Sequence, residues 1–140
     1  MALVIDDERT TREVIQLAVA RGFVVEPLGL AAAIERPVGA IAYAPSTPPD
    51  LEMAARLAPL AQAAAERRRP VVLLATFPPA RGHKAEERAA ALAYLRTHGV
   101  LLAPEPDVWF ETAVLIGAFG APPGPRCAVI APPGGWLPAR

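Results

Sequence analysis

The sequence contains one short, unbroken apolar run, Val-Val-Leu-Leu-Ala at residues 71–75, which follows a basic segment and leads into a loop with two consecutive prolines. A strand with water on one face alternates polar and apolar residues, whereas a strand covered on both faces can be apolar throughout. An unbroken run of this length therefore predicts a strand covered on both sides, as in a parallel sheet between helical layers.

Strand-like and helix-like segments alternate along the rest of the chain, with short connections between them. Such alternation is typical of an open, mostly parallel sheet with helices on both faces and right-handed crossovers. We therefore predict a three-layer, doubly wound α/β fold of the flavodoxin-like type, with five to six strands. The predicted strands are 2–5, 23–25, 38–44, 71–75, 99–103 and 127–131, and the predicted helices are 11–21, 30–35, 50–68, 84–97 and 108–119.

The chain has 140 residues, which is the size of one ordinary domain. We predict that residues 1–131 form this domain and that residues 132–140 form a C-terminal tail. Pro59 lies inside the helix predicted at 50–68, where its ring and its missing amide either kink the helix or divide it into two. The sequence leaves both alternatives open.

The overall charge restricts the class of partner. Fourteen basic and fourteen acidic residues cancel, so the chain lacks the positive field that favours nucleic acids or anionic membranes. No apolar run approaches the ~18 residues that a membrane span requires. Cys127 is the single cysteine, which is typical of a reducing compartment. We expect a cytoplasmic protein that binds neither nucleic acid nor membrane.

The first predicted strand is followed by three consecutive carboxylates, at Asp6, Asp7 and Glu8. They lie at the edge of the sheet where parallel α/β folds bind ligands. Carboxylate oxygens suit a hard cation such as magnesium, and the same residues equally suit the positive end of the next helix. Asp6 and Asp7 are therefore candidate metal ligands, with a purely structural role as the alternative.

The segments Val-Ile-Asp-Asp-Glu at 4–8, Arg-Glu-Val-Ile at 12–15 and Gly-Phe-Val-Val at 22–25 resemble the start of a response-regulator receiver domain. This resemblance implies a phosphoryl-accepting aspartate at the end of the third strand and a lysine at the end of the fifth. Here those regions read Ile-Ala-Tyr-Ala-Pro at 41–45 and Leu-Ala-Pro-Glu at 102–105. A receiver built on this sequence would be a pseudo-receiver that signals by contacts alone.

A second resemblance covers roughly residues 38–135. The apolar strands at 40–43, 69–74 and 99–102, the aromatic segment Pro-Asp-Val-Trp-Phe-Glu-Thr-Ala at 106–113 and the segment at 125–135 with its Pro-Gly-Gly turn are similar to the succinyl-CoA-ligase-type flavodoxin-like region of NDP-forming acyl-CoA synthetases. The resemblance implies a phosphorylated histidine, for which His83 is the candidate. Backbone amides of Gly134 and Gly135 are candidate contacts to an anionic cofactor.

The sequence departs from that family at both phosphate-related positions. The family's first turn is glycine-rich, because glycine lets backbone amides approach a phosphate, whereas Asp6-Asp7-Glu8-Arg9 repels one. Around His83 the sequence reads Gly-His-Lys-Ala at 82–85, so only the histidine matches. CoA or a nucleotide is therefore a possible but unexpected ligand, and the cofactor is left unknown.

The helix predicted at 108–119 has apolar residues on more than one face, which indicates either deep burial or contact with a partner. Trp109, Phe110 and Phe119 are the candidate interface residues. We hypothesise a non-catalytic binding or oligomerisation module, with a protein partner or a second copy as its ligand. The alternatives are a pseudo-receiver signalling domain and, third, a phosphoryl-transfer enzyme that uses His83.

Overall fold

The computed structural model describes residues 2–5, 16, 30–35 and 38–120. In these residues four strands form one parallel sheet, in the spatial order in which they occur along the chain. The strands are β1 (Ala2–Ile5), β2 (Ile41–Ala44), β3 (Val71–Leu74) and β4 (Leu101–Ala103), and the helices are α1 (Leu30–Glu35), α2 (Leu51–Glu66), α3 (His83–Thr97) and α4 (Pro106–Phe119).

The predicted α/β class and the parallel sheet are confirmed. The described residues contain four of the five to six predicted strands, and the strands predicted at 23–25 and 127–131 lie outside the described residues. So does the predicted tail at 132–140. Of the helix predicted at 11–21, only Gln16 is described, and it is helical and exposed.

Strand β3 is buried along its whole length, as its unbroken apolar sequence predicts. Because side chains alternate between the two faces of a strand, its four residues divide between two separate cores. Val71 and Leu73 face the core formed with α1, α2 and α3, and Val72 and Leu74 face the core formed with α4. Helices therefore cover both faces of the sheet, with β3 between them.

Helices α2 and α4, on opposite faces of the sheet, pack with side chains of different size. On the first face, α2 packs with small residues, which lets the helix approach the sheet and α3 closely. On the second face, α4 packs the large side chains of Trp109 and Phe110 against the alanines of β2. The buried residues of α2 are Ala54, Leu57, Ala58, Ala61 and Ala64.

Helix α2 is continuous through Pro59, so the alternative of two separate helices is wrong. Proline has no amide to donate to the carbonyl four residues earlier, which belongs to Ala55. Both Pro59 and Ala55 are exposed, and water can therefore satisfy that carbonyl. The proline is tolerated because it lies on the solvent side of the helix.

The basic run at residues 67–69 terminates α2 and connects it to α1. The amides of Arg68 and Arg69 donate to Ala65 and Ala64, which is the Schellman arrangement of hydrogen bonds at a helix end. This arrangement requires a left-handed residue, and Arg68 adopts φ 57°. Arg67 forms an ion pair with Glu35 of α1 at 3.4 Å. Part of the run therefore has a structural role in helix termination.

Gly39, just before β2, lies directly against the backbone of α4. A Cβ atom built on Gly39 would come within 2.2 Å of the Gly117 carbonyl oxygen, whereas a Cβ built on Gly117 would lie 3.7 Å from the Cβ of Ala40. The first distance is far inside van der Waals contact and the second is an ordinary contact. The approach of α4 to the sheet thus requires a glycine at position 39 but not at position 117.

We predict that Gly39→Ala lowers the free energy of unfolding by about 1–3 kcal/mol, because α4 must move away from β2 to accommodate the methyl group. Gly117→Ala is the matched control. It should leave stability unchanged or raise it by up to about 1 kcal/mol, because alanine is the better helix former. Urea denaturation followed by circular dichroism measures both, and equal destabilisation by the two variants would contradict this packing.

Candidate functional site

The carboxyl ends of β2 and β3 lead into loops 45–50 and 75–82, and each loop runs into the first turn of a helix. Open parallel sheets bind ligands beside this edge, because the loops of neighbouring strands meet there. The starts of α2 and α3 are neighbours at this edge and face a common groove. We call it the carboxyl-edge groove.

The carboxyl-edge groove has a volume of about 330 Å³. Two carboxylates and two cations line it, so their formal charges cancel. A groove with balanced charges does not select for a strongly anionic ligand or for a metal cation. The lining residues are Pro48, Pro49, Asp50, Lys84, Glu87 and Arg88.

Asp50 is the N-cap of α2, as the sequence predicts. Its Oδ1 accepts a hydrogen bond from the amide of Met53 at 2.7 Å. A capping carboxylate satisfies an amide that has no partner within the helix and interacts favourably with the helix dipole. Asp50 therefore already has a structural function. It is also separated from the end of β2 by the proline-rich loop.

Arg88 holds the β3–α3 loop against α3. Its Nη1 donates to the carbonyl of Pro78 at 2.6 Å, and its guanidinium lies 5.7 Å from the centre of the Phe77 ring. The hydroxyl of Thr76 donates to the carbonyl of Pro104, which ties this loop to the one after β4. One of the two cations in the carboxyl-edge groove thus stabilises the loop.

His83 is the first residue of α3, after Gly82, which adopts φ 58° as the N-cap. Its side chain is 90% exposed, and its Nδ1 lies 3.9 Å from Glu86, which is also exposed. Lys84, rather than His83, lines the carboxyl-edge groove. A nucleophilic histidine works best in a site that excludes water and positions a base or an orienting group. The surroundings of His83 give it free access to water.

Four of the predicted site residues, Asp6, Asp7, Gly134 and Gly135, lie outside the described residues. Within the described ranges, no group of three or more His, Cys, Asp or Glu side chains is arranged to hold a metal ion. Among the helices of those ranges, none combines the length and the apolar composition that a bilayer crossing requires.

The predicted interface on α4 divides between two environments. Trp109 and Phe110 are fully buried in the core between α4 and the sheet. The indole Nε1 of Trp109 donates to the carbonyl of Val72 at 2.8 Å. The interpretation of Trp109 and Phe110 as surface contacts is therefore corrected, because their side chains face inward. Phe119, in contrast, is 84% exposed.

Two further apolar residues of α4 that the sequence reasoning did not select are exposed with Phe119. Val108 is 43% exposed and Leu115 is 55% exposed. The three residues occur at positions i, i+7 and i+11, which places them in one row along the helix. We call this row the α4 stripe. The helical spacing of these three residues is visible in the sequence. The prediction instead selected aromatic residues, and it therefore included positions 109 and 110.

A larger cleft, of about 550 Å³, lies at the opposite edge of the sheet, where the strands begin. Its surface is formed mainly by small and apolar residues, with one arginine. This is not the edge at which parallel sheets usually bind ligands. The lining residues are Ala65, Arg68, Pro70, Gly99, Leu101 and Gly120.

Comparison of the chain with models of known protein families gave no match, and comparisons with curated proteins and with solved structures gave no significant match either.

We predict that Arg88→Ala increases the rate at which trypsin cleaves after Arg81 in the β3–α3 loop, because the bond to Pro78 and the contact with Phe77 are lost. The global free energy of unfolding should fall by no more than about 1 kcal/mol, since the hydrogen bond is exposed. Mass spectrometry of timed digests measures the cleavage. Lys84→Ala, which removes the other cation of the groove, is the control, and equal cleavage in the two variants would contradict this role.

Proposed function

We propose that this chain folds as a flavodoxin-like domain and acts as a protein-binding module rather than as a catalyst. The observation that carries the proposal is the α4 stripe, an exposed apolar row on a helix whose opposite face is buried. A kinship with the flavodoxin-like region of acyl-CoA synthetases is part of the proposal.

The order of the described strands supports the flavodoxin-like assignment. β1 pairs directly with β2, although a strand is predicted between them at 23–25. A doubly wound sheet of this type places its second strand beyond the first, at the outer edge. Helices α2 and α3 lie on one face of the sheet and α4 on the other, which is the layering that such a sheet requires.

The exposed apolar residues of α4 support a binding function. Isolated exposed apolar residues are normal on protein surfaces, but apolar residues aligned along one side of a helix are a feature of interaction sites. Val108, Leu115 and Phe119 align along three turns of the helix, with Glu111 and Thr112 between Val108 and Leu115. The inner face of the same helix is already occupied by the sheet. Covering this row with a partner would gain roughly 25 cal/mol for each Å² of apolar surface removed from water.

Two features of the carboxyl edge weigh against a catalytic function. His83 is open to water, and the carboxyl-edge groove has balanced charges and contains a cation that is bonded to the loop. A pseudo-receiver is the alternative within the same class of interaction modules. A pseudo-receiver lacks the phosphoryl-accepting aspartate of a receiver. Here the sequence directly after β2 continues with Pro45, Ser46 and Thr47 and has no carboxylate at that point.

The test is site-specific photocrosslinking in the source cells. We predict that a photoreactive phenylalanine at position 115 gives a discrete crosslinked product, because the partner covers the α4 stripe. The same group at Gln62, an exposed position on α2 at the other face of the sheet, should give none. Leu115→Ser and Phe119→Ser should each leave the unfolding free energy within about 0.5 kcal/mol of the parent, since surface substitutions have small effects.

Equal crosslinking at positions 115 and 62 would contradict the proposal. A rise in melting temperature with CoA or a nucleotide would favour a residual ligase module over a pseudo-receiver, since a ligand at 100 times its dissociation constant adds ~2.7 kcal/mol of stability. Radiolabelled phosphate that stays on the parent chain but not on His83→Ala would instead support the enzyme hypothesis.

A further inference from the structure

The larger cleft, at the edge where the strands begin, combines an apolar lining with a single charge. Its volume of about 550 Å³ is typical of small-molecule sites. Of its lining residues, Arg68 alone is charged, and the others are small or apolar. We call it the amino-edge cleft, and it is lined by Ala65, Arg68, Pro70, Gly99, Leu101 and Gly120.

The side chain of Arg68 differs from its neighbours in the basic run. Arg67 forms an ion pair with Glu35, and the Nη1 of Arg69 donates to the carbonyl of Ile34. The Arg68 side chain, in contrast, has neither a hydrogen bond nor an ion pair within the described ranges. Arg68 is also exposed. Its guanidinium is therefore available to a ligand of the amino-edge cleft.

The backbone of Arg68 gives a second, independent indication. In the part of the chain that the structure describes, the other residues with positive φ are glycines, at Gly82, Gly99 and Gly120, whereas Arg68 adopts φ 57°. A residue with a Cβ atom adopts this conformation at a steric cost that glycine avoids. Backbone outliers of this kind often mark functional positions. The cost is explained if the side chain at position 68 has a function that glycine could not supply.

We propose that the amino-edge cleft binds a small monocarboxylate with an alkyl body, such as a medium-chain fatty acid, and that Arg68 binds the carboxylate. The planar guanidinium matches a carboxylate with two parallel hydrogen bonds. A single cation balances a carboxylate, whereas a phosphate monoester carries about −1.5 to −2 charges at neutral pH. The apolar lining removes the alkyl body from water. This site does not depend on the α4 stripe.

The carboxylate at the end of a peptide fits the amino-edge cleft less well. The last residues of a peptide bring amide and carbonyl groups with them, and these groups need hydrogen-bond partners when they leave water. Arg68 provides the one polar side chain of the lining. An alkyl chain carries no such groups, so an alkyl carboxylate matches this lining better than a peptide does.

The inference is tested by isothermal titration calorimetry of the full chain with octanoate, below the concentration at which octanoate forms micelles. The parent chain should show saturable binding of one octanoate. Octanol, which has the same alkyl length and no charge, should bind about tenfold more weakly, because a charge-assisted hydrogen-bonded pair is missing. A short peptide with a C-terminal leucine carboxylate should also bind more weakly than octanoate.

Arg68→Gly separates the charge from the backbone. It should bind octanoate about tenfold more weakly and octanol as the parent does. Its melting temperature should equal or exceed that of the parent, since glycine adopts the left-handed conformation freely. Arg56→Gln, at an exposed position of α2, is the matched control and should bind octanoate as the parent does. Ala65→Leu should weaken both ligands by similar factors, because the larger side chain occupies part of the cleft.

Equal affinity of octanoate for the parent and for Arg68→Gly would overturn the inference, and so would a lack of saturable octanoate binding to the parent. Octanoate affinity that is unchanged in Ala65→Leu would place the ligand outside the amino-edge cleft. Tighter binding of the peptide than of octanoate would assign the cleft to a chain terminus and would also overturn the inference. None of these results alters the photocrosslinking test at position 115, so the two proposals fail separately.

Discussion

The burial of β3 on both faces is the constraint on which the rest of this structure depends. Its alternating side chains belong to two cores, so helices must cover both sides of the sheet. The hydrogen bond from the Trp109 indole to the Val72 carbonyl adds a directional contact, which fixes α4 in rotation as well as in position. With Trp109 and Phe110 facing β3, Val108, Leu115 and Phe119 lie away from the core and are exposed. The α4 stripe is thus a consequence of how the core is filled.

The same constraint separates two surfaces with different chemistry. At the carboxyl edge, residues that would be candidates for binding are engaged in organising the backbone: Asp50 caps α2 and Arg88 holds the β3–α3 loop. On α4, the apolar side chains of Val108, Leu115 and Phe119 do not enter the core and remain exposed. A groove with balanced charges, whose Asp50 and Arg88 already bond to the chain, and an exposed apolar row are the two observations behind the proposed binding function.

Local patterns in the sequence predicted most of the described fold, because strand burial, helix periodicity and capping are properties of short segments. The apolar run at 71–75, the N-cap at Asp50 and the helix that ends before Gly99 all follow this rule. The continuity of α2 through Pro59 was undecided, because it depends on which side of the helix faces the core. The inward direction of Trp109 and Phe110 and the meeting of Lys84 and Arg88 with Asp50 depend on packing between distant segments, which local patterns do not specify.

Hydrogen–deuterium exchange of the full chain, alone and bound to the partner that photocrosslinking from position 115 identifies, tests the central claim most directly. The account predicts that added protection from exchange is concentrated in residues 105–120, with little change in α2 and α3. Protection concentrated in the loops at 45–50 and 75–82 would show that ligands bind at the carboxyl edge of the sheet, and it would contradict the assignment of the α4 stripe as the functional surface.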